Sequence, residues 1–167
     1  AKVQAGAVLS KFIKQSIENN FSSCEKLYCI PGTIGGAITM NAGIPNFEIA
    51  DVLISVDWID FHGNKNTITR EDLKMSYRNG NVQNGAIVTS CLLKTFPEKK
   101  EKLELLVKDI ILKRKNSQPI GQATCGSTFK NPPGLKIWQL IKESGCDKLR
   151  VGGAIVSDIH CNFLINS

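Results

Sequence analysis

The chain has 167 residues, 42% of them hydrophobic, enough to build a real core in one ordinary domain or two small ones. Its 21 Lys and Arg outweigh 15 Asp and Glu, giving a net charge of +6 and a surface that attracts anions. No apolar run approaches the about 18 residues of a membrane span, and the first residues lack a signal-peptide pattern, so the expectation is a cytoplasmic globular protein.

A short strand-like Lys2-Val3-Gln4 leads into Leu9, Phe12, Ile13 and Ile17, whose spacing predicts an amphipathic helix over about residues 7–19. The abrupt opening strand suggests missing upstream sheet partners. A glycine-rich run from Ile30 to Gly43 follows. Alternation through Val52, Ile54, Val56 and Trp58, then a turn at His62-Gly63-Asn64 and a second strand over 66–69, predicts a hairpin. Residues 85–96 read as another β-rich run ended by Pro97. Leu103, Leu106, Val107, Ile110 and Ile111 mark a helix over about 98–115.

Asn116 to Gly121 reads as a linker by composition, which places a domain boundary between 1–116 and 117–167. Beyond it, Ile137, Leu140 and Ile141 predict a short helix closed by Gly145, and residues 153–157 and 162–166 read as strands. The whole is a mixed α+β protein.

Six cysteines without C-x-x-C spacing read as reduced thiols, most of them buried, and two histidines at unrelated positions give no zinc pattern, so no metal is expected. The basic clusters at 99–102 and 113–115 lie at the two ends of a predicted helix without interleaved aromatics. A solvated helix face explains them better than a nucleic-acid footprint.

Three stretches can carry chemistry. In Ile30 to Gly43, four glycines and two alanines strip away side-chain bulk, which lets a backbone approach a flat or anionic ligand or else forms a tight turn packed under a helix. The spacing is not that of a dinucleotide-binding G-x-G-x-x-G turn. In Met75-Ser76-Tyr77-Arg78-Asn79-Gly80-Asn81, an arginine fork suited to a carboxylate or phosphate sits in a turn-rich segment. In Cys125-Gly126-Ser127-Thr128-Phe129-Lys130-Asn131-Pro132, small residues surround a hydroxyl. Ser127 or Cys125 as a nucleophile would need a base such as His160, and a Ser157-Asp158-His160 set has a triad's composition, but turn residues are the commoner explanation of each.

Taken in order, I-P-G-T-I-G-G-A-I-T-M-N-A-G, S-Y-R, C-G-S-T-F-K-N-P and V-G-G-A-I-V-S-D-I-H-C-N-F-L-I-N resemble the UDP-N-acetylenolpyruvoylglucosamine reductases over essentially the whole chain. The resemblance implies part of a vanillyl-alcohol-oxidase-type FAD-binding domain followed by part of a smaller α/β substrate-binding domain. It also implies a cytoplasmic reaction of peptidoglycan synthesis. NADPH reduces FAD, and a hydride then passes to C3 of the enolpyruvyl group of UDP-N-acetylglucosamine enolpyruvate, with protonation at C2.

By the same resemblance, Arg78 is the cation facing the developing charge and Ser127 the proton donor. Pro31, Gly32, Thr33, Gly35, Gly36, Asn41, Ala42 and Gly43 contact the flavin, and Tyr77, Lys115 and Asn131 the substrate. Lys115, twelve residues before Ser127, falls at the family's diphosphate lysine. Gly80 stands where the family usually has serine. The family's upstream G-x-G-S-N loop and downstream catalytic glutamate have no counterpart, which implies a chain shortened at both ends. It is expected to be monomeric unless another chain supplies those segments, with no nucleic-acid or membrane partner. The alternative is a remnant that binds flavin or nucleotide sugar without turnover.

Overall fold

A computed structural model describes residues 1–167, which divide into two compact units, Ala1–Ile110 and Ile111–Ser167. In chain order, the first unit holds β1 (Lys2–Gln4), α1 (Leu9–Glu18), β2 (Phe21–Ser22), α2 (Ile34–Thr39), β3 (Gly43–Ile44), β4 (Phe47–Glu48), β5 (Leu53–Ile59), β6 (Lys65–Thr69), α3 (Arg70–Leu73), β7 (Ile87–Leu93) and β8 (Phe96–Pro97). Single 3-10 turns at Glu25–Leu27 and Ile49–Asp51 join these elements. The division falls inside α4 (Lys100–Ser117). The second unit continues with β9 (Thr124–Ser127), α5 (Ile137–Glu143), β10 (Arg150–Val151), β11 (Ala154–Val156) and β12 (Phe163–Asn166).

Both main sheets are antiparallel, ordered β1-β7-β5-β6 in the first unit and β10-β11-β12-β9 in the second, and the expected α+β class holds. Periodicity placed the long elements well. In α1 the buried face is Leu9, Ile13 and Ile17, and Asn20 closes the helix in the left-handed region at φ 60°. Each fully buried aliphatic side chain on that face contributes roughly 1.5–3 kcal/mol. In the hairpin β5–β6, the Asp60 carboxylate accepts the N–H groups of His62 and Asn64, both at 2.9 Å, and so organises the turn predicted there. The Asn64 side-chain amide, which donates to the same carboxylate at 3.1 Å, and then the Asn64 and His62 N–H groups hold the Asp60 carboxyl below its usual range.

Two expectations need correction. The glycine-rich run contains a helix, α2, that its composition hid. Thr33 caps it by accepting the Gly36 N–H at 3.3 Å, and Ile34, Ala37 and Ile38 are buried beneath it. Tertiary burial thus outweighs the roughly 1 kcal/mol that each interior glycine costs a helix. The second concerns the linker: α4 runs through Asn116 and Ser117, and the Arg114 guanidinium donates twice to Gln118 Oε1, at 3.0 and 2.6 Å, fastening its last turn.

Candidate active site

The first unit brings two of the predicted motifs into direct contact. The chain around Arg78 folds into a tight turn in which Ser76 and Asn79 exchange both backbone hydrogen bonds at 2.9 Å, with Arg78 itself in the left-handed region at φ 54°. Gly80 donates its N–H to the Thr39 carbonyl at 2.9 Å, docking the turn on the last residues of α2. A Cβ on residue 80 would lie 2.0 Å from the Ile38 carbonyl oxygen, so in this chain the position has no room for a serine.

The docked turn delivers the arginine to the glycine-rich run. Arg78 Nη2 donates to the Gly43 carbonyl at 2.7 Å and Nη1 to the Asn41 carbonyl at 3.4 Å, while Nη1 stands 3.6 Å from the Glu48 carboxylate. The guanidinium also lies 4.8 Å from the centre of the Tyr77 ring, a cation–π distance. Asn41 completes the arrangement: its Nδ2 donates to Glu48 Oε2 at 2.6 Å and to the Ser76 carbonyl at 3.0 Å, and its Oδ1 accepts the Ala50 N–H at 3.3 Å. Arg78 is therefore a fixed, partly buried cation with 28% of its side chain exposed. Support expected from a serine at position 80 comes instead from Glu48 and two carbonyls.

Within the run, exposure separates the residues. Pro31, Gly32 and Gly36 are exposed, Thr33 is half-buried, and Gly35, Asn41, Ala42 and Gly43 are buried. The amides at the start of α2 have partners in the chain: Ile34 N–H bonds the Ala7 carbonyl and Gly35 N–H the Ala5 carbonyl, both at 2.9 Å. What the run offers a ligand is thus a bare backbone surface at Gly32 and Gly36, where an added Cβ would meet nothing closer than Thr33 Oγ1 at 3.6 Å.

The second unit holds Ser127, Lys115 and Asn131. Ser127 ends β9 opposite Phe163 of β12, and it is exposed. Between Thr124 and Ser127 the strand carries one residue more than its partner, a bulge that includes Gly126 at φ 86°. Lys115 is exposed in the last turn of α4. Asn131 Oδ1 accepts the Ile137 N–H at 3.0 Å and so caps α5, whose N-cap residue Lys136 makes no side-chain cap.

The Ser157-Asp158-His160 set is a turn. The buried Ser157 Oγ accepts the N–H groups of Ile159 and His160 at 3.2 and 3.3 Å, and His160 Nδ1 accepts the Asn162 N–H at 3.2 Å. Burial holds the His160 imidazole below its ordinary range, partly offset by its own backbone. A cleft of about 370 Å³ beside it is lined by Trp138, Lys142 and Lys148, and Ser127 is not among its lining residues. No group of three or more His, Cys, Asp or Glu side chains is placed to hold a metal ion.

Sequence reasoning missed Glu48 and Asn162. Glu48 meets Arg78 from thirty positions away, and no local pattern announces such a pair. Asn162 lay inside a quoted motif but read as the first residue of a strand.

Residues 118–167 match the family model described as UDP-N-acetylenolpyruvoylglucosamine reductase, C-terminal domain. The chain is 40% identical to the UDP-N-acetylenolpyruvoylglucosamine reductase of Rickettsia felis over 159 residues, covering 95% of the chain and 53% of that protein. Identity to the Rickettsia canadensis protein of the same name is 42% over 160 residues, with 95% and 53% covered. The crystal structure of UDP-N-acetylenolpyruvylglucosamine reductase from Thermus caldophilus superposes with a TM-score of 0.90 at 36% identity, covering 99% of the chain and 61% of that structure. The chain spans about half the length of the curated relatives it matches. Over the stretch that they share, the chain is similar in sequence and in fold to the UDP-N-acetylenolpyruvoylglucosamine reductases, and residues 118–167 match that family's C-terminal domain.

Proposed function

We propose that this polypeptide serves in the FAD-dependent, NADPH-driven reduction of UDP-N-acetylglucosamine enolpyruvate to UDP-N-acetylmuramate, a cytoplasmic step of peptidoglycan synthesis. The observation that carries this reading, beyond kinship, is the docking of Arg78 onto the glycine-rich run through the carbonyls of Asn41 and Gly43. That contact ties the residues proposed to meet the cofactor to the cation proposed to meet the substrate.

The exposed backbone at Pro31, Gly32 and Gly36 fits a flat ring, because no side chain rises from either glycine. Thr33 and Gly35 shape the entry to α2, and Asn41, Ala42 and Gly43 hold the exit of the run in place. Bound FAD, reduced by NADPH, would supply the hydride. The chain's own residues then have separable tasks. Hydride addition at C3 of the enolpyruvyl group builds negative charge from C2 into the carboxylate. A cation already fixed by Glu48 and two carbonyls stabilises that charge without reorganising. Ser127 supplies the proton at C2. Tyr77, which flanks the guanidinium, Lys115 toward the diphosphate, and Asn131 contact the substrate. No helix of the chain is long and apolar enough to cross a membrane.

The test is flavin absorbance of the purified chain together with NADPH oxidation that depends on the enolpyruvyl substrate. Substrate-dependent turnover supports the reading. Flavin binding without turnover moves it to a binding module, and retention on DNA with neither would overturn it.

A further inference from the structure

Asn162 is nine-tenths or more buried, with 4% of its surface exposed, although it precedes β12 in a loop. Its side chain does not point to solvent or to its own turn. It grips the backbone of a residue thirty-three positions earlier: Oδ1 accepts the Phe129 N–H at 3.0 Å, and Nδ2 donates to the Phe129 carbonyl at 2.9 Å. The same residue's carbonyl accepts the Thr128 N–H at 2.8 Å. Two side-chain bonds to Phe129 and one main-chain bond to Thr128 therefore let Asn162 fix the two residues that follow Ser127, beyond the end of β9.

Asn162 is itself held from behind. Its N–H donates to His160 Nδ1 at 3.2 Å, and the turn carrying His160 is pinned by Ser157 Oγ. The Phe163 N–H closes that turn on the His160 carbonyl at 3.0 Å. On the other side of Ser127 stands the Gly126 bulge, which bends the strand and interrupts its ladder.

We propose that Asn162 is a positioning residue for Ser127: its carboxamide, read by the Phe129 peptide as another strand would be, sets the direction in which the Ser127 hydroxyl points. This rests on the role given to Ser127 above. An amide is the side chain suited to the task, because it alone presents one acceptor and one donor side by side to a peptide's N–H and C=O.

The experiment compares the chain with Asn162→Ala and Asn162→Asp by amide hydrogen exchange and by the two half-reactions. The aspartate keeps the shape and the acceptor but replaces the donor with charge facing a carbonyl, so it loosens the clamp with little loss of packing. Expected in both variants is exchange of the Phe129 amide faster by about tenfold or more, with the β11–β12 amides unchanged. The rate of substrate reduction should fall about 10²-fold while substrate affinity and flavin reduction by NADPH stay within about twofold. Unchanged exchange at Phe129 overturns the clamp. Faster exchange with normal substrate reduction, where Ser127→Ala is slow, overturns the positioning role. Normal reduction in Ser127→Ala, or an unsubstituted chain that does not turn over, overturns the parent reading instead, and the exchange data still decide the clamp.

Discussion

Arg78 and Glu48 form an ion pair at 3.6 Å in which the carboxylate also accepts from Asn41, so the cation proposed for the substrate carboxylate is already paired and oriented. A guanidinium can serve Gly43, Asn41 and Glu48 together because its donors fan out in one plane; an ammonium cannot. Arg78→Lys is therefore expected to lower kcat/KM for the enolpyruvyl substrate by about 10–10²-fold and stability by about 1–3 kcal/mol. Steady-state kinetics and urea unfolding check both numbers, and a lysine variant with wild-type kinetics would remove the case for a fixed fork.

Position 80 tests how the arginine turn docks. Gly80→Ala and Gly80→Ser each place a Cβ against the Ile38 carbonyl, a backbone atom that cannot step aside without distorting α2. Both are expected to cost about 2–3 kcal/mol and to weaken flavin retention, because the distortion reaches the glycine-rich run. An unchanged urea midpoint for the serine variant would show that the turn has another way to seat.

His160 gives the second unit a pH dependence whose sign follows from its lowered value. The unfolded chain takes up the proton at the ordinary pKa near 6.5, and the folded chain only at lower pH, where protonation also costs Nδ1 its role as acceptor for Asn162. The contribution is complete above about pH 6.5 and is lost as pH falls toward the folded value. Lys142, Asp147, Lys148 and Asp158 line the adjoining cleft in balanced signs, which leaves burial as the main cause. In thermal melts, His160→Gln should flatten the decline between about pH 6.5 and pH 5; a decline of equal slope in both proteins would contradict the assignment.

The six cysteines should separate by thiol labelling. Burial pushes Cys24 up to about 12, helped by the Glu25 charge, and Cys91 also up to about 12, helped by Asp57. Cys125 is exposed. A disulfide-exchange reagent is expected to modify Cys125 first and to reach Cys24 and Cys91 only on unfolding. Early labelling of Cys24 would mean that the first unit opens locally under native conditions. The reading that most cysteines are buried goes too far: Cys24, Cys91 and Cys161 are buried, half of the set, while Cys29 and Cys146 are intermediate.

Elements with a strong period were legible: Leu9, Ile13 and Ile17 announced α1, and the alternation ending at Trp58 announced β5. The glycine-rich run stood out by composition, yet the helix within it did not, because α2 is held by Thr33 and by the Ala5 and Ala7 carbonyls rather than by its own propensity. The motifs pointed to Arg78 and Ser127 as candidates, while Glu48, which pairs with Arg78, and Asn162, which bonds the two residues after Ser127, carried no signal. Each acts across a long stretch of chain, and long-range pairing leaves no spacing for a single sequence to display.

The bulge in β9 makes residue number in that strand matter by parity. Between Ser127 and Thr124 the chain spends three steps where β12 spends two between Phe163 and Ile165. A polypeptide one residue shorter there would regain a regular ladder, and in doing so would turn either the Ser127 hydroxyl or the Thr124 side chain to the opposite face of the sheet.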